Sequence, residues 1–77
     1  MNKTKIELKH KVSTALKSEY GFAPALNKII LLEAHGDGTY ILFRVGIHEY
    51  RYDSYFFFPE GSDNTVWYES GTIQKLF

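Results

Sequence analysis

The sequence predicts an α+β fold, with an N-terminal amphipathic helix packed on one face of a four-stranded antiparallel meander. The order is α-β-β-β-β, with residues 73–77 as a candidate fifth, edge strand. Three observations predict it. Apolar residues in the first twenty positions recur at the helical period and stop at a glycine. From Lys28 onward the period falls to two, with turn residues between the runs. The chain also divides by character. Residues 1–20 carry a net +3, whereas residues 21–77 carry a net −3 and hold every aromatic side chain except Tyr20. A basic segment followed by an acidic, aromatic one is what a helix docked on a sheet would leave in the sequence. No repeat, low-complexity tract or linker separates the two, so residues 1–77 read as a single domain.

The helix is placed over about residues 4–20. Leu8, Val12, Ala15, Leu16 and Tyr20 form one stripe at 3.6 residues per turn. Thr4-Lys5-Ile6-Glu7 fits a capping box, in which the threonine hydroxyl accepts the N3 amide and Glu7 returns to the cap amide. Gly21 supplies the left-handed residue that closes the helix, Phe22 is placed to fold back onto Leu16, and Pro24 blocks continuation.

The strands follow at about 28–34, 39–45, 49–58 and 65–70. Lys28 to Glu33 is apolar on both faces in its middle. His35-Gly36-Asp37-Gly38 reads as a hairpin turn, because both Asp and Gly tolerate positive φ. The return strand alternates Ile41, Phe43 and Val45 with Tyr40, Leu42 and Arg44. Gly46-Ile47-His48 reads as the next turn. In the third strand Tyr50, Tyr52, Phe56 and Phe58 oppose Glu49, Arg51, Asp53, Tyr55 and Phe57. Residues 59–64 are a loop by composition. Val66 and Tyr68 then oppose Trp67 in the fourth strand, and Gly71 is expected to bend the chain.

Several functions are excluded or disfavoured at this level. With 77 residues the chain sits where one core is only just sufficient, and about 0.05–0.15 kcal/mol per residue gives a stability of about 4–11 kcal/mol. It has no cysteine, which removes disulfide staples, cysteine-ligated zinc and cysteine nucleophiles. No apolar run approaches the ~20 residues of a membrane span, and Met1-Asn2-Lys3 leads into charge instead of a signal sequence. A cytoplasmic protein without a membrane contact is the expectation. Zero net charge argues against a dedicated nucleic-acid or membrane-surface binder.

Candidate chemistry is thin. The three histidines fall on a polar helix face (His10) and in two turns (His35, His48). Those turns lie at opposite ends of a strand, ~20 Å or more apart, too far to share a metal. Glu49 and Asp53, four residues apart on a strand, would be ~13 Å apart, beyond paired-carboxylate catalysis. His35-Gly36-Asp37-Gly38 lacks the helix and lysine of a phosphate loop. Neither Ser54, Ser62 nor Ser70 sits in a strand–turn–helix elbow. Neither an enzymatic activity, a metal nor a cofactor is expected.

A contact surface is the strongest functional expectation. One helix covers one sheet face, and whichever it takes, the other keeps a contiguous aromatic patch. Tyr40, Leu42, Tyr55, Phe57 and Trp67 are the candidate interface residues. The rival is that Ile73, Leu76, Phe77 and the Phe22–Leu26 loop fold over that face. The expected partner is a second copy of the chain, giving a homodimer, or a larger protein on which it docks, met through this aromatic face or by edge pairing of the Phe56-Phe57-Phe58 strand. A small bacterial or phage regulator or inhibitor fits this description. The alternative from another class is nucleic-acid binding through a lysine-rich helix face, with Lys3, His10 and Lys17 in line. It is weakened by the acids that flank Arg51 and by the ordinary solvation of helix lysines. The helix-then-meander order over residues 4–53 resembles small PepSY-type or inhibitor-type α/β domains in topology, and no residue role follows from that resemblance.

Overall fold

The computed structural model describes residues 2–77. Helix α1 spans Lys5–Tyr20, a 3-10 turn covers Leu26–Lys28, and four strands follow: β1 Ile29–Ala34, β2 Tyr40–Val45, β3 His48–Phe57 and β4 Tyr68–Lys75. The strands form one antiparallel sheet in the order β1-β2-β3-β4.

The helix begins and ends as the sequence dictates. Thr4 accepts the Glu7 amide at 3.1 Å, and Glu7 returns to the Thr4 amide at 3.1 Å, closing a capping box. The Thr4 backbone N–H, and after it the Thr4 hydroxyl, hold the Glu7 carboxyl below its ordinary pKa. Gly21 takes φ 82 and donates its N–H to the Lys17 carbonyl, so the helix closes in the left-handed conformation that glycine favours. Phe22 stays exposed at the surface.

Helix α1 covers the sheet face that carries Ile41, Phe43, Tyr50 and Tyr52. Leu8, Val12 and Leu16 descend from the helix onto these residues and Ile29 to form the core. Ala15, Leu26, Leu31, Ala34, Val45 and Ile73 pack around them half-buried. Phe43 stacks on Tyr50 with ring centroids 5.3 Å apart. Tyr20, the last residue of the stripe, is exposed but leans its ring on Tyr50 at 5.9 Å. Burial raises the pKa of both Tyr50 and Tyr52, in Tyr50 with a smaller contribution from Tyr20.

The hairpins differ from the expected turns in instructive ways. Between β1 and β2 the loop is five residues long, because Asp37 does not take positive φ and only Gly38 does, at 79°. The Asp37 carboxylate instead accepts the Thr39 hydroxyl at 2.7 Å and amide at 3.0 Å, which lowers its pKa. The Gly36 carbonyl accepts the Lys3 amide at 2.7 Å, tying the segment before α1 to this loop. Between β2 and β3 the turn is Gly46-Ile47 alone, with Gly46 at φ 62, and His48 already begins β3.

The largest correction concerns the last strand. It was expected at 65–70, with a bend at Gly71 and a separate edge strand at 73–77. The structure has one strand, Tyr68–Lys75, running straight through Gly71. Gly71 faces Ser54 in register, and the Tyr52 side chain lies where a Cβ on residue 71 would stand. The glycine accommodates a ring instead of a bend. Leu76 and Phe77 continue the pairing, with Leu76 N–H donating to Glu49 O at 2.7 Å and Glu49 N–H to Phe77 O at 2.9 Å. They extend the β4 edge and do not fold over the outer face.

Candidate interaction surface

The candidate surface grows out of a mismatch in strand length. Strand β2 has six residues and β3 has ten, so β2 leaves β3 after Tyr40↔Asp53 and the bond from Ser54 N–H to Thr39 O. Beyond that point β3 pairs with β4 alone, from Ser54↔Gly71 to Phe57↔Tyr68. The result is a two-stranded arm projecting past the helix-covered sheet, in a molecule measuring 43 × 26 × 19 Å.

Strand alternation gives the arm two aromatic faces. On the face away from the helix, Tyr55 lies 5.8 Å from Phe57, and Phe57 lies 6.5 Å from Tyr68, centroid to centroid. On the helix side, Phe58 stacks on Trp67 at 3.7 Å, and Trp67 and Phe56 together line a shallow apolar hollow. Tyr55 is 63 % exposed and Trp67 60 %, so neither face is closed by the chain itself. The loop beyond is held locally: Asp63 accepts the Thr65 hydroxyl and amide, and Gly61 and Asn64 take positive φ.

The expected interface residues therefore divide. Tyr40, Leu42, Tyr55 and Phe57 share the outer face, but Tyr40 and Leu42 are half-buried and lie beside a charged band. That band contains Arg51, which donates to Asp53 at 2.8 Å along its own strand and to Gln74 at 3.1 Å. Arg44 stands opposite Glu49 in register. Trp67 precedes β4 instead of lying within a strand, and it belongs to the helix-side face with Phe56 and Phe58. Phe56 and Phe58 alternate onto the same β3 face as Tyr50 and Tyr52, yet Phe56 is exposed and Phe58 half-buried. The signal that separates them from Tyr50 and Tyr52 is length, since a helix of 16 residues cannot cover ten positions of β3 as well as β1.

A second feature lies between α1 and β4. A groove of about 850 Å³ runs there, walled by Lys3, Glu7, His10 and Thr14 and floored by Glu69, Gly71 and Ile73. At its inner end Lys11 forms an ion pair with Glu69, and its ammonium lies 5.7 Å from the Tyr52 ring centroid and 5.9 Å from that of Phe56. Glu69 also accepts the Ser54 hydroxyl at 2.6 Å and the Tyr52 hydroxyl at 3.3 Å. Burial pushes the Glu69 carboxyl up, but Lys11 and the two hydroxyls outweigh it and hold the pKa below its ordinary value.

The residues named for nucleic acid are partly brought together. Lys3 and His10 share the groove wall with Glu7, while Lys17 turns to the helix end and donates to Gly21 O at 3.3 Å. His10 and His35 are exposed, and the half-buried His48 places Nδ1 3.3 Å from the Phe77 carbonyl oxygen. Among the described residues no group of three His, Asp or Glu side chains is arranged to hold a metal ion. No described helix is long and apolar enough to cross a membrane. Comparison with protein-family models, with characterised proteins and with solved structures finds no match.

The two edges of the sheet are built differently. In β1 the register slips between Leu31 and Glu33, leaving Leu32 as a bulged residue, and the 3-10 turn leads directly into the strand. In β4 the register runs without a slip from Tyr68 to Lys75, and no proline interrupts it. Natural sheets blunt their edges with bulges, prolines or cover, because a straight open edge is a template for another strand.

Proposed function

We propose that the chain is a protein–protein interaction module whose working part is the β3–β4 arm. The observation that carries this reading is that the arm is aromatic on both faces and uncovered on both. A two-stranded ribbon in water gains little from displaying Tyr55, Phe57 and Tyr68 on one side and Phe56, Phe58 and Trp67 on the other. Such side chains are the ones that anchor protein contacts, where a large apolar body and a polar tip meet a partner surface. A regulator or inhibitor that acts by docking fits this design.

The test compares association with folding. Phe57→Ala and Trp67→Ala are expected to retain the far-ultraviolet helix signal while weakening association at least tenfold. Association is read as mass by light scattering for self-association, and as co-elution with a purified partner otherwise. A collapse of the helix signal in both variants would place these side chains in the core and overturn the reading.

A further inference from the structure

The partner is a second copy of this chain: we propose that β4 pairs antiparallel with β4 of that copy about a twofold axis at Thr72, joining two sheets into one. This rests on the interaction-module reading and gives it an occupant and a register.

The direction of the open hydrogen bonds restricts the possibilities. Ser54 donates to Thr39 on the β2 side, whereas Glu49 and Leu76 bond across the β3–β4 side. In an antiparallel ladder these directions alternate residue by residue. The even positions of β4 therefore point their backbone groups at β3, and Glu69, Gly71, Ile73 and Lys75 point theirs out of the sheet edge.

Side-chain chemistry then selects the register. With the axis at Thr72, Glu69 stands opposite the second copy's Lys75, on the same sheet face, and Lys75 opposite the second copy's Glu69. Ile73 faces Gly71 of the other chain, where that chain's Tyr52 side chain fills the space a Cβ would take. Ser70 faces Gln74, and Thr72 faces itself. Moving the axis one residue towards the N-terminus sets Glu69 against Ile73, and one residue towards the C-terminus sets it against Phe77. Only the register at Thr72 pairs the opposite charges and uses every outward backbone group. It also carries Trp67 to the end of the edge occupied by the second copy's Leu76 and Phe77, which are exposed in the single chain. The apolar ends and the charged shoulders are thus each matched by their twofold mates.

The edge is accessible to this partner. A groove separates β4 from α1, and six of the eight β4 residues are exposed. The β1 edge, with its bulge at Leu32, offers no comparable straight template.

The experiment uses the absence of cysteine from the sequence. A Thr72→Cys variant places two thiols opposite each other in a non-hydrogen-bonded pair, where Cα atoms stand about 4.5 Å apart, within disulfide range. Under oxidised glutathione it is expected to form a covalent dimer. Ser70→Cys, whose mates lie roughly 14 Å apart in this register, is expected to remain uncross-linked. Light scattering of the unaltered chain should give about twice 8.9 kDa at high concentration. Lys75→Glu, which sets like charges opposite each other twice, should raise the dissociation constant about tenfold. A mass of one chain at every concentration overturns the proposal, as does a dimer that Thr72→Cys fails to cross-link. Either result leaves the arm reading to be decided by Phe57→Ala and Trp67→Ala, which act on the aromatic faces and not on the backbone register.

Discussion

Tyr52 and Phe56 sit four residues apart on the same strand and the same face, yet Tyr52 is 6 % exposed and Phe56 is 47 %. Between them the strand passes from beneath α1 into the arm. The same alternation of aromatic side chains that builds a core on one side of Ser54 builds a surface on the other. The difference comes from what covers the strand, not from the strand. In the covered half Leu8, Val12 and Leu16 close over Phe43, Tyr50 and Tyr52. In the arm Lys11 and Glu69 mark the limit of that cover, with the ammonium spanning the Tyr52 and Phe56 rings.

The sharpest way to break this comparison is to truncate one aromatic in each half. Phe43 is fully buried, and Phe43→Ala should cost about 3–5 kcal/mol, a large part of the stability available to a domain of this size. Tyr55→Ala, at a side chain 63 % exposed, should change folding stability by less than about 0.5 kcal/mol, as surface substitutions do. Urea unfolding followed by far-ultraviolet dichroism measures both. Similar losses in the two variants would mean that the arm is part of the core.

A smaller effect is expected at the boundary, where Gly71 lies against the Tyr52 side chain. A methyl group at this position meets that ring, which cannot withdraw without disturbing the core it belongs to. Gly71→Ala should therefore destabilise by about 1–3 kcal/mol despite a backbone that any residue can adopt. Pairing with Tyr52→Ala, which removes the ring, should make the added cost of the alanine vanish in a double-mutant cycle. An alanine cost that persists without the ring would mean that the close contact is not the cause.

Much of this architecture was legible in the sequence, and the reasons are local. The capping box at Thr4, the glycine at 21 and the stripe through Leu8, Val12 and Leu16 each specify structure within one or two turns of chain. So do the alternations in β2 and β3. What escaped was decided by partners distant in sequence. Gly71 looked like a bend because glycine weakens strands, whereas its reason for being glycine is Tyr52, on the neighbouring strand. The arm was hidden for a similar reason. Its faces depend on β2 ending early and on the reach of α1, neither of which is written in residues 54–58. The Lys11–Glu69 pair spans 58 positions and left no pattern to read.

That pair gives the last and smallest test of where the covered half ends. Its carboxylate is held below the ordinary pKa of 4.5, since Lys11, Ser54 and Tyr52 together outweigh the cost of burial. A carboxyl whose folded pKa is depressed adds stability that is complete above the unfolded value. The contribution is lost as pH falls through the folded value. Acid unfolding of the parent chain should therefore steepen below pH 4.5. Glu69→Gln keeps hydrogen-bond acceptance for the two hydroxyls but removes the charge, so its stability should be lower at neutral pH and flatter in this acid window. Lys11→Met should flatten the same window, because it removes the charge that opposes protonation of Glu69. Dichroism-monitored urea titrations at pH 7 and across pH 2–5 would show both effects. If Glu69→Gln retains the full acid slope, the titrating group lies elsewhere, in the exposed carboxylates of Glu7, Asp37 or Asp63 whose pKa values are also lowered by their local hydrogen bonds.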